Sequence, residues 1–367
     1  LSCHGSHYIV SEIIALLLRS GARMAQPGEF TIRAFLAGRM DLAQAEAVAD
    51  LIASSSRADH ALATNQMRGG YSEELEGLRD KLLQLTSLLE LELDFSEEDV
   101  EFADRTALRE TMERIGGEID RLRNSFALGN AIKEGVAVAI VGAPNVGKST
   151  LLNRLLNEDR AMVSEIAGTT RDVIEEQANI GGVRFRFLDT AGIRATGDRL
   201  ERMGIERTME SIRRAQVVIR LLDARDLEGD IPAAEFTLRQ EQRLLTVINK
   251  LDAAPEGFRP MKGTIGISAR RGDGIEALCR ALRDAVDTEG VYHGETVVSN
   301  SRHYEALTAA RQALASALEG LDRGLPADLL SEEIRPVISR LGEITGRGAI
   351  APDEVLENIF SKFCIGK

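Results

Sequence analysis

Apolar residues recur through residues 41–128 at alternating spacings of three and four, most clearly at Leu75, Leu78, Leu82, Leu85 and Leu89, where Gly and Pro are sparse. That period lines one face of an α-helix. The same spacing suits a coiled-coil seam, but it lasts for too few heptads, so the run reads as the core face of a helical bundle. At Gly135 the texture changes. Short β-branched runs, VAVAIVG from 136, VRFRFLD (183–189), VVIRLLD (217–223) and LLTVIN (244–249), alternate with helical stretches, which predicts a mostly parallel sheet with helices on both faces. Beyond about residue 297 the helical period returns, with Leu307, Leu314, Leu318 and Leu321 on one face and further segments near 327–343 and 353–363. An α/β domain thus interrupts an all-α one. The flanking segments are expected to pack into one discontinuous helical domain, because the ends of an inserted domain usually lie close together.

A chain of 367 residues that is 44% hydrophobic has the length for two or three domains. YIVSEIIALLL (8–18) carries Glu12 and VAVAIVGA (136–143) is strand-sized, so no apolar run reaches bilayer-spanning length and no membrane role is expected. The chain opens at LSCHGS, without an initiator Met or the basic start of a signal peptide, and is expected to continue a longer N-terminal region. Three distant cysteines, Cys3, Cys279 and Cys364, fit neither a disulfide framework nor a metal-binding pair and point to a reducing, cytoplasmic setting. With 58 acidic against 45 basic residues and a net charge of −13, the overall field repels a phosphate backbone, so a nucleic-acid substrate needs a partner or a local patch to hold it.

Chemistry concentrates in the α/β segment. GAPNVGKST (142–150) follows a predicted strand, opens a predicted helix and matches G-x-x-x-x-G-K-[ST] from Gly142 to Ser149. This is a P-loop: backbone N–H groups and the helix N-terminus cradle phosphates, Lys148 neutralises the β- and γ-oxygens, and Ser149 ligates magnesium. In FLDTAG (187–192) Asp189 ends a strand and can hold magnesium through water, while Gly192 offers its N–H to the γ-phosphate. INKLD (248–252) also ends a strand. Its Asp252 can accept two hydrogen bonds from the N1–H and 2-amino group that guanine has and adenine lacks, with Asn249 positioning the ring and Lys250 covering it. SAR (268–270) supplies a loop against the guanine O6. Four elements in this order point to GTP as the ligand.

GTTRD (168–172) offers Thr170 as a second magnesium ligand. Arg171 and Asp172 read as switch residues with no assignable role. Ile193 follows DTAG where many small GTPases carry a water-orienting Gln, so another residue must do that work. Glu201 could reach back across the site or be a solvated helix residue. Asn145 could serve the site or merely tolerate the tight loop. The terminal FCIGK ends in Gly366 and Lys367, which does not suit a prenylation box. Packing of Phe360, Phe363 and Cys364 on a terminal helix is the plain reading.

PGEFTIRAFLAGRMDLAQAEAVADLI (27–52), DTAGIR followed by LERMGIER, and FCIGK together closely resemble the MnmE (TrmE) family of tRNA modification GTPases, over the whole chain. The resemblance implies that 1–38 are the end of an α+β N-terminal folate-binding domain, 39–134 and 297–367 the helical domain, and 135–296 the G domain. It implies nucleotide contacts from Asn145, Val146, Gly147, Lys148, Ser149 and Thr150, from Ser164, Glu165, Ile166, Ala167, Gly168, Thr169 and Thr170, from Asp189, Thr190, Ala191 and Gly192, from Asn249, Lys250, Leu251 and Asp252, and from Ser268, Ala269 and Arg270. Potassium would be held by the side chains of Asn145 and Thr169 and the carbonyls of Ser164 and Ile166, where G domains dimerise. Glu201 would orient the hydrolytic water through an intermediary. Cys364 would lie near the one-carbon donor, 5,10-methylenetetrahydrofolate (5-formyltetrahydrofolate as its analogue), whose pocket Lys367 reaches. Arg39 stands where the family commonly has Lys, which alters the geometry of a folate contact. The implied activity adds an aminomethyl or carboxymethylaminomethyl group to carbon 5 of the tRNA wobble uridine. It would be carried out by a homodimer joined to an FAD-containing partner of the MnmG (GidA) type in a heterotetramer. Two alternatives are a ribosome-assembly or other regulatory GTPase, which needs a basic RNA-binding domain, and a lipid-anchored switch, which needs a true terminal lipid box.

Overall fold

A computed structural model describes residues 2–94, 104–158, 176–188, 201–227, 238–239, 241–286 and 288–347, with 93–94, 158 and 201–207 described in backbone only. The chain divides into two compact units: 1–53, 63–123 and 302–367 form one, and 54–62 with 124–301 form the other.

The second unit is the α/β domain. Its six strands, β1 (Val136–Val141), β2 (Glu176–Ile180), β3 (Val183–Phe187), β4 (Val217–Asp223), β5 (Arg243–Asn249) and β6 (Ile265–Gly266), lie in the order β2-β3-β1-β4-β5-β6. All neighbours run parallel except β2 and β3. β1 is buried along its whole length, as a central parallel strand covered on both sides must be. Val136, Val138 and Ile140 face one layer, with Leu151, Leu152 and Leu155 of α7 (Lys148–Glu158) and Leu278 and Leu282 of α9 (Ile275–Asp284). Ala137, Ala139 and Val141 face the other, with Ile212 of α8 (Glu201–Arg214) and Ala215 just beyond it. The alternation of Cβ directions along one strand therefore builds both halves of the core.

Strand β2 and the two-residue β6 were not legible in the hydrophobic pattern. EQANI at 176–180 is too polar to read as a strand, yet it pairs antiparallel with β3 through Gly181 and Gly182, which supply positive φ of 62° and 85° at the turn. The tip of this hairpin is seated on residues 55–58: Ala58 N–H donates to the Gly182 carbonyl at 3.0 Å, and the Asn179 amide donates to the Ser55 carbonyl at 3.5 Å. Arg57 spans from there to the ring of Tyr292, with its guanidinium carbon 5.4 Å from the centroid.

In the first unit, α1 (His7–Arg19) has no buried residue, α2 (Glu29–Leu36) packs on α3 (Leu42–Ala53), and α12 (Ala327–Thr345) lies along α5 (Gly70–Asp94). The five leucines at 75, 78, 82, 85 and 89 are all buried, the bundle-core outcome that their spacing predicts. α6 (Arg105–Glu134) buries Met112, Ile115, Ile119 and Leu122, and α11 (Ser301–Asp322) buries Leu307, Ala310 and Leu314. α4 (Arg57–Met67) and α10 (Glu289–Tyr292) complete the helices among the described residues.

A buried charge cluster ties α3 to the start of α11. Glu46 Oε1 accepts from Arg302 Nε at 3.0 Å, and Oε2 lies 2.6 Å from His303 Nε2. The same guanidinium donates to the carbonyls of Glu343 and Ile344 at 2.6 and 3.0 Å, a cation satisfying the free end of α12. Burial alone would raise the Glu46 pKa, but His303 and Arg302 outweigh it and hold it down at about 2. A carboxylate depressed in the folded state contributes stability at pH values above its unfolded value and loses it as pH falls through the folded value. We expect Glu46→Ala, which leaves the buried His303 and the half-buried Arg302 without their anion, to cost about 3–5 kcal/mol in urea unfolding near neutral pH. The difference from wild type should shrink as pH is lowered from about 4.5 towards 2.

Candidate functional site

The site forms where strands end. β1 stops at Val141, and Gly142 then passes so close to β4 that a Cβ there would lie 2.3 Å from the Leu221 carbonyl oxygen. The loop crests at Asn145, in the left-handed region at φ 62°, and turns through Gly147 at φ 106° into α7. Lys148 opens that helix, with Nζ donating to the carbonyls of Gly142 and Ala143 at 2.7 and 2.9 Å. Burial pushes its pKa down from the ordinary lysine range, so an anion in this cradle would favour the charged form. Ser149, half-buried, and Thr150, exposed, follow in the first turn.

Two further loops converge on this one. Asn249 is buried at the end of β5. Its Nδ2 donates to the Val146 carbonyl at 2.8 Å, and its Oδ1 accepts from the Ala269 N–H at 2.9 Å. The side chain expected to position a ring is thus also the bolt between three loops. Lys250, in the left-handed region at φ 65°, donates from Nζ to the Asn145 carbonyl at 2.6 Å. Leu251 and Asp252 begin a short 3₁₀ turn, where Ser268 Oγ donates to Asp252 Oδ1 at 2.6 Å. That hydroxyl above all, helped by the nearby Arg271 and Arg270, holds the Asp252 carboxyl below the usual carboxylate range. The result is an ionised acceptor at the carboxyl ends of parallel strands, the position in which open α/β sheets bind ligands.

Asn145–Thr150, Asn249–Asp252 and Ser268–Arg270 are therefore brought to one cleft. Ser164, Glu165, Ile166, Ala167, Gly168, Thr169 and Thr170 lie outside the described residues, as do Asp189, Thr190, Ala191, Gly192, Cys364 and Lys367. Glu201 is the first residue of α8, and its side chain is also outside them. Arg39 is exposed and belongs to the other unit. Two residues in the cleft's frame carry no motif. Arg154 of α7 donates to the carbonyls of Ala269 and Arg270 at 3.4 and 2.9 Å. Asp223, the last residue of β4 and in register with Asn249, accepts from Lys250. Only its place at a strand end marks it in the sequence. Among the described residues there is no cluster of His, Cys, Asp and Glu that could hold a metal by itself, and no helix is long and apolar enough to cross a membrane.

Two family models match: the MnmE helical domain over residues 42–364 and the TrmE N-terminus, described as a GTP-binding protein, over residues 1–39. A protein of Cytophaga hutchinsonii named tRNA modification GTPase MnmE is 53% identical over all of this chain and 81% of its own length. One of the same name from Bacteroides fragilis is 50% identical over all of this chain and 82% of its own. Among solved structures, the G domain of FeoB from Methanococcus jannaschii aligns with 41% of this chain and 96% of its own at 24% identity and a TM-score of 0.30, too slight a likeness to argue from.

Gly147 is a second tight point of the cleft: a Cβ would fall 2.4 Å from Asn249 Nδ2 on a backbone that side chains rarely adopt. Gly147→Ala should therefore part the P-loop from Asn249 and weaken GDP binding by about tenfold or more, the strain being about 1–3 kcal/mol. Titration with a fluorescent GDP analogue reads this directly.

Proposed function

The chain belongs to the MnmE family of tRNA modification GTPases, and from that premise we propose that it hydrolyses GTP to drive the remodelling of the tRNA wobble uridine at carbon 5. Asp252 carries the reading. It is a carboxylate kept ionised by Ser268, on a loop tied through Asn249 to the phosphate loop. Guanine meets such a carboxylate with two N–H donors, whereas adenine leaves it unpaired, and a site built this way rejects the wrong base strongly.

The phosphates would lie in the loop from Asn145 to Thr150, with Lys148 neutralising charge. The donors available there fit magnesium, a hard cation that prefers oxygen: the Ser149 hydroxyl opens α7 beside Lys148, and Thr170 would add a second. Asn145 engages the protein through its backbone carbonyl, taken by Lys250, and is exposed at the crest of the loop, which suits its amide oxygen to potassium together with Thr169 and the carbonyls of Ser164 and Ile166. Potassium bound there would supply the positive charge that an arginine finger supplies elsewhere, worth on the order of 10³–10⁵ in rate. Glu201 would steer the attacking water in place of the glutamine that Ile193 replaces.

Beyond hydrolysis, the reading assigns a methylene-folate as carbon donor, with Arg39 and Lys367 towards the folate and Cys364 beside the transferred carbon. The product is an aminomethyl or carboxymethylaminomethyl uridine. The setting is the cytoplasm, and the working unit is a homodimer joined to an MnmG-type partner that carries FAD. The net charge of −13 supports placing most of the tRNA contact on that partner. A ribosome-assembly GTPase would share the nucleotide site, but the helical domain matched over 42–364 favours the modification reading.

Turnover of GTP should run at least about tenfold faster in potassium than in sodium, with the G domains pairing beside a transition-state mimic; equal rates and a monomer would sink the potassium assignment. In cells carrying Cys364→Ser or Lys367→Ala as the sole copy, wobble-nucleoside analysis should show the modified uridine lost. Normal levels in both strains would remove the tail from the chemistry.

A further inference from the structure

One residue in contact with the base-recognition loop is not in any nucleotide motif. Asp223 ends β4, pairs in register with Asn249 at the end of β5, and sits beside the phosphate loop. Its carboxylate is shared between two cations. Oδ2 accepts from Lys250 Nζ at 2.7 Å and from Arg225 at 2.7 Å, while Oδ1 accepts from Arg225 Nε and from the Arg225 backbone N–H, both at 3.0 Å. The Lys250 ammonium in turn reaches the Asn145 carbonyl at 2.6 Å.

This chain of contacts joins two residues of one kind. Asn145 and Lys250 are the only non-glycine residues with positive φ among those described, at 62° and 65°. Each such residue is costly to hold and persists only where its surroundings overdetermine it. A single ammonium fastens one to the other, and Asp223 is its counter-ion. Lys250 is half-buried, with 24% of its side chain exposed, and Asp223 more so at 16%. A charge in that setting is aimed by its partner far more firmly than one in free solvent. The Arg225 guanidinium foremost, with Lys250 beside it, keeps the Asp223 carboxyl below the ordinary range against the opposing effect of burial, so the anion is present at every working pH.

We propose that Asp223 is a positioning residue for guanine-nucleotide binding: it acts through Lys250, aiming the ammonium so that the base-recognition loop and the phosphate loop are preorganised as one surface. This rests on the guanine-nucleotide reading of the cleft. Asp223 touches no part of the nucleotide in this scheme, and its share of the binding is the ordering that the loops would otherwise lose on ligation. Arg225, more than half exposed at 52%, shares the carboxylate, but it is the Lys250 contact that reaches the phosphate loop.

The test is a double-mutant cycle on the full chain, read as the Kd of GDP by calorimetry, with thermal melting of each apo protein to confirm folding. Asp223→Asn keeps the shape and one acceptor but removes the charge. It should weaken GDP about tenfold, the scale of one hydrogen bond to a charged group, and leave kcat at saturating GTP within about twofold. In a Lys250→Ala background the same change should cost less than about twofold. Arg225→Ala, which leaves the carboxylate intact, should bind GDP as wild type does. GDP binding by Asp223→Asn equal to wild type, additive losses in the cycle, or a tenfold loss in Arg225→Ala would each overturn the proposal. Failure of the wild-type protein to bind GDP at all would instead overturn the underlying reading of the cleft.

Discussion

Everything in the nucleotide cleft depends on one buried side-chain amide. Asn249 uses its donor on the Val146 carbonyl and its acceptor on the Ala269 N–H, so the phosphate loop, the base loop and the SAR loop cannot move independently. An amide is suited to this because it offers donors and an acceptor at once without a charge, and a neutral group is the cheaper one to bury. The glycine opposite it, Gly147, is required by the same contact, since any side chain would occupy the space of the amide.

The helical unit solves a different problem with charge. Arg302 and His303 stand at the start of α11, where the chain re-enters the helical unit, and both converge on Glu46 of α3. A buried ion cluster adds little net stability over an apolar core, yet it penalises every arrangement that leaves one of its members unpaired. It therefore fixes which end of α11 meets α3 and α12, a matter that leucines repeating at similar spacings would leave degenerate.

Much of this was legible before the structure. Periodicity located the bundle leucines and the four main strands, because burial on one face or two leaves a direct trace in residue order. The motif spacing located the cleft, because close backbone approach demands glycine and phosphate demands a lysine at a helix start. Strand β2 was not legible: EQANI carries little apolar signal, and its partner and its glycine turn make it a strand. Asp223 was not legible either, since one acid at the end of VVIRLLD is indistinguishable from a solvated one until the fold sets Lys250 beside it. The grip of Asn249 on Val146 and Ala269 was not legible in the motif and comes only from the packing.

The seating of the β2–β3 hairpin on Ser55, Arg57 and Ala58 makes the nucleotide unit non-contiguous in the gene. A fragment beginning at Gly135 would forfeit Ala58, Leu62, Ala131 and Ile132 from its own core and leave the Gly182 carbonyl without its donor. Recombination or engineering that treats this GTPase as a cassette with one entry and one exit would thus transplant an incomplete object.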